Sequence, residues 1–158
     1  MAQSQTGTVV AIFISPVAQG PMLQAQKVKA LAGKGLEGDR YCEGGGSYQK
    51  GKIGNRQVTL MNSHFFPGSG FEYCDSRRNI ITKDVELMYL IGREFTIGNV
   101  RMRGVKYCEP CDVPTALAKK NLSFAEAFSD RGGLIAEILT DGEIEEGSSI
   151  VPPKKNYK

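Results

Sequence analysis

The residues best suited to chemistry form one short run, Tyr-Cys-Glu-Pro-Cys-Asp, at positions 107–112. Two thiols three positions apart are typical of a redox pair or of half a zinc site. A redox pair of this kind begins a helix within a βαβ unit, whereas a predicted strand precedes this one. A structural zinc site needs a second ligand pair, and Cys42, Cys74 and His64 are each isolated in the sequence. Both interpretations are therefore weaker than a third.

The third interpretation places Cys111 immediately before a helix. Asp112 is expected to cap that helix, with Pro114 in its first turn, where proline is tolerated. The partial positive charge at a helix N-terminus favours a thiolate, which is the form that binds a soft metal or carries a transferred sulfur atom. Cys108, at the end of a strand, is then the slower or resolving thiol. The alternative is that both cysteines are buried and inert, as free cysteines often are.

A second set of candidate residues consists of arginines beside glycines or at loop–strand junctions. Its members are Arg40, Arg56, Arg78 and Arg131. Guanidinium groups bind phosphate or carboxylate through two hydrogen bonds, and nearby glycines let backbone amides approach the same anion. Any one of these arginines taken alone is most simply a solvated surface residue. Together they predict a single anion-binding cleft near Cys111.

The elements that must position these residues are mostly short strands with turn signals between them. Strands are predicted over Thr8–Ser15, Gln26–Leu31, Arg56–Met61, Phe95–Ile97, Val100–Lys106, Leu134–Leu139 and Gly147–Val151. Gly98-Asn99 suits the tight turn of a hairpin. A capping box over Ser123–Glu126 predicts a short helix that continues through Phe128. Because strands outnumber helices and no βα unit repeats, the sequence predicts a mainly β fold with a few short helices, a closed or half-closed β-barrel.

Length and composition fit one domain over residues 1–158, with a core at about 6–151 and a flexible tail at 152–158. Eight glycines between Gly33 and Gly54 predict long mobile loops there. A net charge of +3 is too small to indicate a nucleic-acid partner. No apolar run is long enough to span a membrane, and the first residues lack the features of a signal peptide. A cytoplasmic location is therefore expected.

Six segments occur in the order seen in MOSC domains, the family named for the C-terminal domain of molybdenum cofactor sulfurase. They are Gly38–Arg40, Arg56–Leu60, Arg78–Ile80, Leu90–Gly92, Cys108–Cys111 and Arg131–Leu134. The chain resembles this family from about Thr6 to Val151. The resemblance implies a MOSC-type β-barrel and a role around molybdopterin-bound molybdenum or sulfur transfer.

The resemblance also assigns roles to residues. It implies that Cys111 ligates molybdenum or carries a persulfide, with Cys108 as a less regular companion. The four arginines would hold the phosphate of the molybdenum cofactor, and Asn79 would add a polar contact. A pyridoxal-phosphate-dependent cysteine desulfurase or a molybdoenzyme is the partner implied. A small molybdenum-dependent reductase of N-hydroxylated compounds and a cofactor-free adaptor domain remain alternatives.

Two departures from the family pattern bear on these roles. Many small members carry histidine shortly after Gly-Asp, where this chain has Arg40-Tyr41. The usual Gly-Glu-Asn is replaced by Arg77-Arg78-Asn79. Both changes place basic or aromatic side chains where relatives have other chemistry.

Overall fold

The structure is a computed structural model that describes residues 6–46 and 54–153. Within these ranges the strands are β1 (Gly7–Ile14), β2 (Leu23–Ala25), β3 (Lys27–Leu31), β4 (Gly35–Leu36), β5 (Val58–Asn62), β6 (Ile80–Lys83), β7 (Glu94–Ile97), β8 (Val100–Tyr107), β9 (Leu134–Ile138), β10 (Gly142–Glu145) and β11 (Ser149–Val151). The α-helices are α1 (Val113–Ala118) and α2 (Phe124–Ala127), and short 3-10 turns lie at Arg40–Glu43, Ser63–Phe65, Tyr73–Ser76 and Leu87–Leu90. No helix in the described part of the chain is both long and apolar enough to cross a membrane.

Seven strands close into a barrel in the order β1, β11, β7, β8, β9, β5, β6, with β6 pairing back to β1. Closure depends on β1, whose first residue Gly7 lies opposite Ile150 while Ile12 lies opposite Ile80. The end of β1 also pairs with β2. Within the barrel β5 and β6 are parallel, and the other barrel pairs are antiparallel. The predicted mainly β barrel with few short helices is confirmed.

A smaller sheet of β10, β3 and β4 packs its apolar side into the same core as the barrel. In β10 only Ile144 is buried, because the glutamates of the strand alternate to the outside. A second apolar cluster lies against α2, where the rings of Phe124 and Phe128 are fully buried with centroids 4.5 Å apart. Burying each ring stabilises the fold by about 1.5–3 kcal/mol, which anchors the segment that follows the cysteine pair.

The predicted strands and the hairpin at Gly98-Asn99 are present, with bounds that differ by one or two residues. The capping box also forms, since Ser123 Oγ accepts a hydrogen bond from the Glu126 amide, although the helix ends at Ala127. Four strands were not predicted: β2, β4, β6 and β10. Residues 47–53 and 154–158 lie outside the described ranges, so the mobility expected at Gly33–Gly54 and in the tail stays a prediction.

Candidate functional site

The cysteine pair lies in the loop between β8 and α1, pressed against the start of β9. The Cys108 amide donates a hydrogen bond to the Gly133 carbonyl at 2.9 Å. A Cβ at Gly132 would lie 2.0 Å from the Cys108 carbonyl oxygen, so only glycine permits this approach. The side chain of Cys108 is consequently buried, whereas that of Cys111 is half-buried. The loop therefore conceals one thiol and leaves the other accessible.

Asp112 precedes α1 as predicted, and Pro114 lies in the first turn of that helix. The prediction that the Asp112 side chain caps α1 is wrong. Its carboxylate instead accepts hydrogen bonds from the Ala125 amide at 3.0 Å and from Ser123 Oγ at 2.9 Å, both at the beginning of α2. These hydrogen bonds lower the pKa of Asp112, and the one from the Ala125 amide has the largest effect. Because the Asp112 backbone does not adopt the extended conformation of a capping residue, its side chain links the two helices and fixes the loop that holds Cys111.

Three of the four predicted arginines share a cavity of about 280 Å³ with Cys111. The cavity is lined by Gln19, Arg40, Tyr41, Arg56, Ser76, Arg77, Arg78, Glu109, Cys111, Val113 and Pro114; we call it the thiol cleft. Arg131 is not among these residues. It is exposed, its guanidinium lies over the Phe65 ring at 5.0 Å, and it lines a different cavity of about 590 Å³.

Arg40 enters the thiol cleft from the 3-10 turn that follows Asp39. Its Nη1 pairs with the buried Asp39 carboxylate at 3.1 Å, and its Nη2 donates to the Tyr41 hydroxyl at 3.2 Å. Asp39 also accepts a hydrogen bond from the Ser15 amide at 2.8 Å, which ties the turn to the end of β1. Arg40 is therefore held by an ion pair within the protein before any ligand arrives.

Arg56 connects the arginines to the buried thiol. Its Nη2 lies 3.9 Å from Cys108 Sγ, and its guanidinium is 5.5 Å from the centre of the Tyr41 ring. Burial alone would lower the pKa of Arg56, but the contacts with Tyr41 and Cys108 outweigh it and raise that pKa. The side chain is thus fixed as a cation in the wall of the thiol cleft.

Arg77 and Arg78 each carry a donor that finds no acceptor among the residues described by the structure. Arg78 is buried; its Nε donates to the Gly132 carbonyl at 2.8 Å and its Nη1 to the Ser76 carbonyl at 3.3 Å. Arg77 donates from Nη1 to the Gly20 carbonyl at 2.7 Å. In both side chains Nη2 is buried and has no hydrogen-bond partner within residues 6–46 and 54–153. The pKa of Arg77 is lowered, mainly by burial and then by the nearby positive charge of Arg40. A neighbouring anion would therefore stabilise the charged form of Arg77 in particular.

Asn79 lies inside the barrel wall and not in the thiol cleft. Its Oδ1 accepts hydrogen bonds from the Thr59 amide at 3.0 Å and from the Thr59 hydroxyl at 3.2 Å, and its Nδ2 donates to the Phe13 carbonyl at 3.1 Å. The side chain is completely buried. Asn79 therefore fastens the start of β6 to β5 and β1, and it does not line the thiol cleft.

The structure adds cleft residues that the sequence prediction missed, chiefly Tyr41 and Arg77. Arg77 adopts a left-handed backbone conformation with φ of 62° at the end of a 3-10 turn. That conformation is uncommon for a side chain of this size, and it is not readable from the Arg77-Arg78 pair. The remaining cysteines lie elsewhere: Cys42 is buried and Cys74 exposed, and no disulfide joins any of the four cysteines.

The structure is thus a closed barrel whose wall brings a half-buried thiol and several guanidinium groups to one cleft. The family model of the MOSC domain matches residues 56–151. The chain belongs to the MOSC domain family, which is linked to molybdenum-cofactor functions. A comparison with curated proteins gives no match.

Solved structures share the fold over nearly the whole chain. The YuaD protein of Bacillus subtilis is 14% identical, covers 95% of this chain and 97% of its own, and has a TM-score of 0.78. YiiM of Geobacillus stearothermophilus is 14% identical, with 94% and 75% coverage and a TM-score of 0.68. YiiM of Escherichia coli is 13% identical, with 96% and 72% coverage and a TM-score of 0.64. These likenesses confirm the predicted MOSC-type fold.

Proposed function

We propose that this MOSC domain holds or services a molybdenum–pterin cofactor, with Cys111 as its working thiol. One observation carries the proposal: the accessible thiol and four guanidinium groups line the same cleft. Cys111 would either ligate the molybdenum or carry a persulfide sulfur destined for the cofactor. The arginines would bind the cofactor's phosphate.

The donor set of the thiol cleft fits such a ligand. The buried Nη2 atoms of Arg77 and Arg78 lack partners within the described residues, and a phosphate oxygen is the acceptor that such groups bind best. No group of three or more His, Cys, Asp or Glu side chains in the described ranges could hold a metal ion. If molybdenum is bound there, Cys111 would supply a single thiolate ligand, and the other ligands would have to come from outside the described residues. The cleft volume of about 280 Å³ lies just below the range of about 300–1,000 Å³ that is usual for small-molecule sites.

The chain's own contribution to the chemistry is to position groups. Arg78 anchors the segment around Gly132, against which the Cys108–Cys111 loop packs, so the anion site and the thiol are held by the same contacts. Arg40 and Arg56 flank the Tyr41 ring and restrict its orientation beside the cleft. When bound, the cofactor would supply the redox chemistry. In the persulfide alternative, a pyridoxal-phosphate-dependent cysteine desulfurase would supply the sulfur and a molybdoenzyme would receive it.

The test is to purify the protein from a host that makes the cofactor and to measure molybdenum and pterin per chain. We expect loading in the native protein and its loss in Cys111→Ser, since serine offers no soft ligand. Cys74→Ser is the matched control, because Cys74 lies outside the thiol cleft, and it should load normally. Mass spectrometry of the intact protein tests the alternative: a persulfide adds one sulfur atom at Cys111. Native protein with neither cofactor nor persulfide, or equal loading in Cys111→Ser, would refute the proposal.

A further inference from the structure

A second cavity adjoins the thiol cleft and shares three of its lining residues, Gln19, Arg77 and Pro114. It has a volume of about 340 Å³ and lies between the segment Gln19–Met22 and helix α1. We call it the side cavity. Because Arg77 lines both spaces, a molecule in the side cavity would contact the wall of the thiol cleft.

The side cavity is mostly apolar, with one cationic side chain. Its apolar wall includes Pro21, Met22, Leu117 and Ala118. Leu117 is 40% exposed, so part of its apolar surface is open to the side cavity. The wall therefore suits a small apolar body rather than a hydrated ion.

The charges around the side cavity favour an anionic group at Arg77. Asp75 is the one carboxylate in its lining, and its Oδ2 is already used by the Glu72 amide at 2.8 Å and by Lys120 Nζ at 3.8 Å. Arg77 forms no ion pair among the described residues, and its Nη1 is held beside the side cavity by the Gly20 carbonyl at 2.7 Å. A carboxylate on the ligand would supply a counter-charge.

We propose that the side cavity binds a small organic carboxylate, with its apolar body against Leu117 and Met22 and its carboxylate on Arg77. The binding itself does not require a cofactor. That the bound carboxylate is also the molecule that reaches Cys111 rests on the proposed function. The side cavity would then select the partner molecule by size and charge, while the thiol cleft holds the reactive group.

The test uses two probes of the same shape, 3-phenylpropionate and its neutral amide 3-phenylpropanamide, titrated calorimetrically into the native protein. We expect the carboxylate to bind at least about tenfold more tightly than the amide, because only the carboxylate carries a charge that can form an ion pair with Arg77. Arg77→Met should remove this preference. Leu117→Asp should weaken carboxylate binding by about tenfold or more, since it puts a like charge in the apolar wall.

Leu23→Asp is the control, because Leu23 is similarly exposed, at 52%, on β2 and does not line the side cavity. It should bind the carboxylate as the native protein does. Equal affinity for the two probes, no saturable binding of the carboxylate, or unchanged binding in Leu117→Asp would overturn the inference. Molybdenum content measured on the Leu117→Asp protein separates the two proposals: loading should persist while probe binding fails. A native protein that carries neither molybdenum nor a persulfide would instead refute the proposed function alone.

Discussion

Replacing Arg78 with methionine tests whether the thiol cleft is an anion site. The substitution keeps most of the side-chain volume but removes the hydrogen bonds to the Gly132 and Ser76 carbonyls. It also removes a buried donor, Nη2, that has no partner in the described part of the chain. The lost hydrogen bonds destabilise the protein, and removal of the unpaired donor partly offsets this. Without a ligand we therefore expect Arg78→Met to lower the free energy of unfolding by about 1–3 kcal/mol.

The decisive quantity is how much inorganic phosphate stabilises each protein. A ligand at one hundred times its dissociation constant stabilises the native state by about 2.7 kcal/mol. Losing one hydrogen bond to a charged group weakens binding by roughly ten- to a hundredfold. At the same phosphate concentration the Arg78→Met variant should then gain only about 0.4–1.4 kcal/mol.

The assay is urea unfolding with phosphate or with chloride at matched ionic strength. Arg131→Met is the matched control, since Arg131 is exposed and lines the other cavity. It should respond to phosphate as the native protein does. If phosphate stabilises the native protein and Arg78→Met equally, or stabilises neither, the thiol cleft does not bind phosphate and the reasoning fails.

Three further predictions concern the segment that holds the thiols. In the native protein an alkylating reagent should modify half-buried Cys111 faster than buried Cys108, and the difference in rate should vanish in denaturant. The two rates are measured by peptide mass spectrometry. Equal rates in the native protein would contradict the difference in burial between the two thiols. Gly132→Ala should lower the free energy of unfolding by more than about 4 kcal/mol, because the added Cβ would overlap the Cys108 carbonyl. In the control Gly68→Ala the added Cβ meets no atom, so the loss should be about 1–2 kcal/mol, the cost of a left-handed backbone. Comparable losses in urea unfolding would refute the close contact. Because the pKa of Asp112 is lowered in the folded state, its stabilising effect is present above the ordinary carboxyl pKa near 3.9 and disappears as the pH falls through the lowered value. The stability difference between native protein and Asp112→Asn should therefore shrink toward pH 2, and a difference independent of pH would contradict this.

The fold was predictable where local signals and burial agreed. The hairpin of β7 and β8 is determined by a turn of two residues, and the capping box at Ser123 forms as its sequence indicates. Strand β6 was missed because four residues between Asn79 and Asp84 give too short a pattern, and its pairing with β5 is parallel and distant in sequence. Tertiary contacts, not local propensity, decide such a strand.

The sequence predicted which types of residue form the site, but not which individual residues line it. Arginines at loop–strand junctions met in one cleft because those junctions lie at the same end of neighbouring strands, as with Arg56 before β5 and Arg78 before β6. Arg131 has the same local setting before β9 but is exposed beside Phe65. Asn79 follows Arg78 directly, yet its side chain is held in the barrel wall by hydrogen bonds with Thr59 and Phe13. One position along the chain therefore separates a side chain that lines the thiol cleft from one that only joins strands.

The charge balance of the thiol cleft argues against a purely structural adaptor domain. Arg40 has a buried carboxylate partner in Asp39, but within the described residues Arg77 and Arg78 have no ion pair and each retains a buried Nη2 without an acceptor. A guanidinium group that is buried with an unpaired donor costs free energy that its other hydrogen bonds offset only in part. Stability alone therefore does not explain why these two Nη2 donors are left without acceptors beside a half-buried thiol. An anion that supplies the missing acceptors does explain it, and it is the same anion that the proposed cofactor would bring to Cys111.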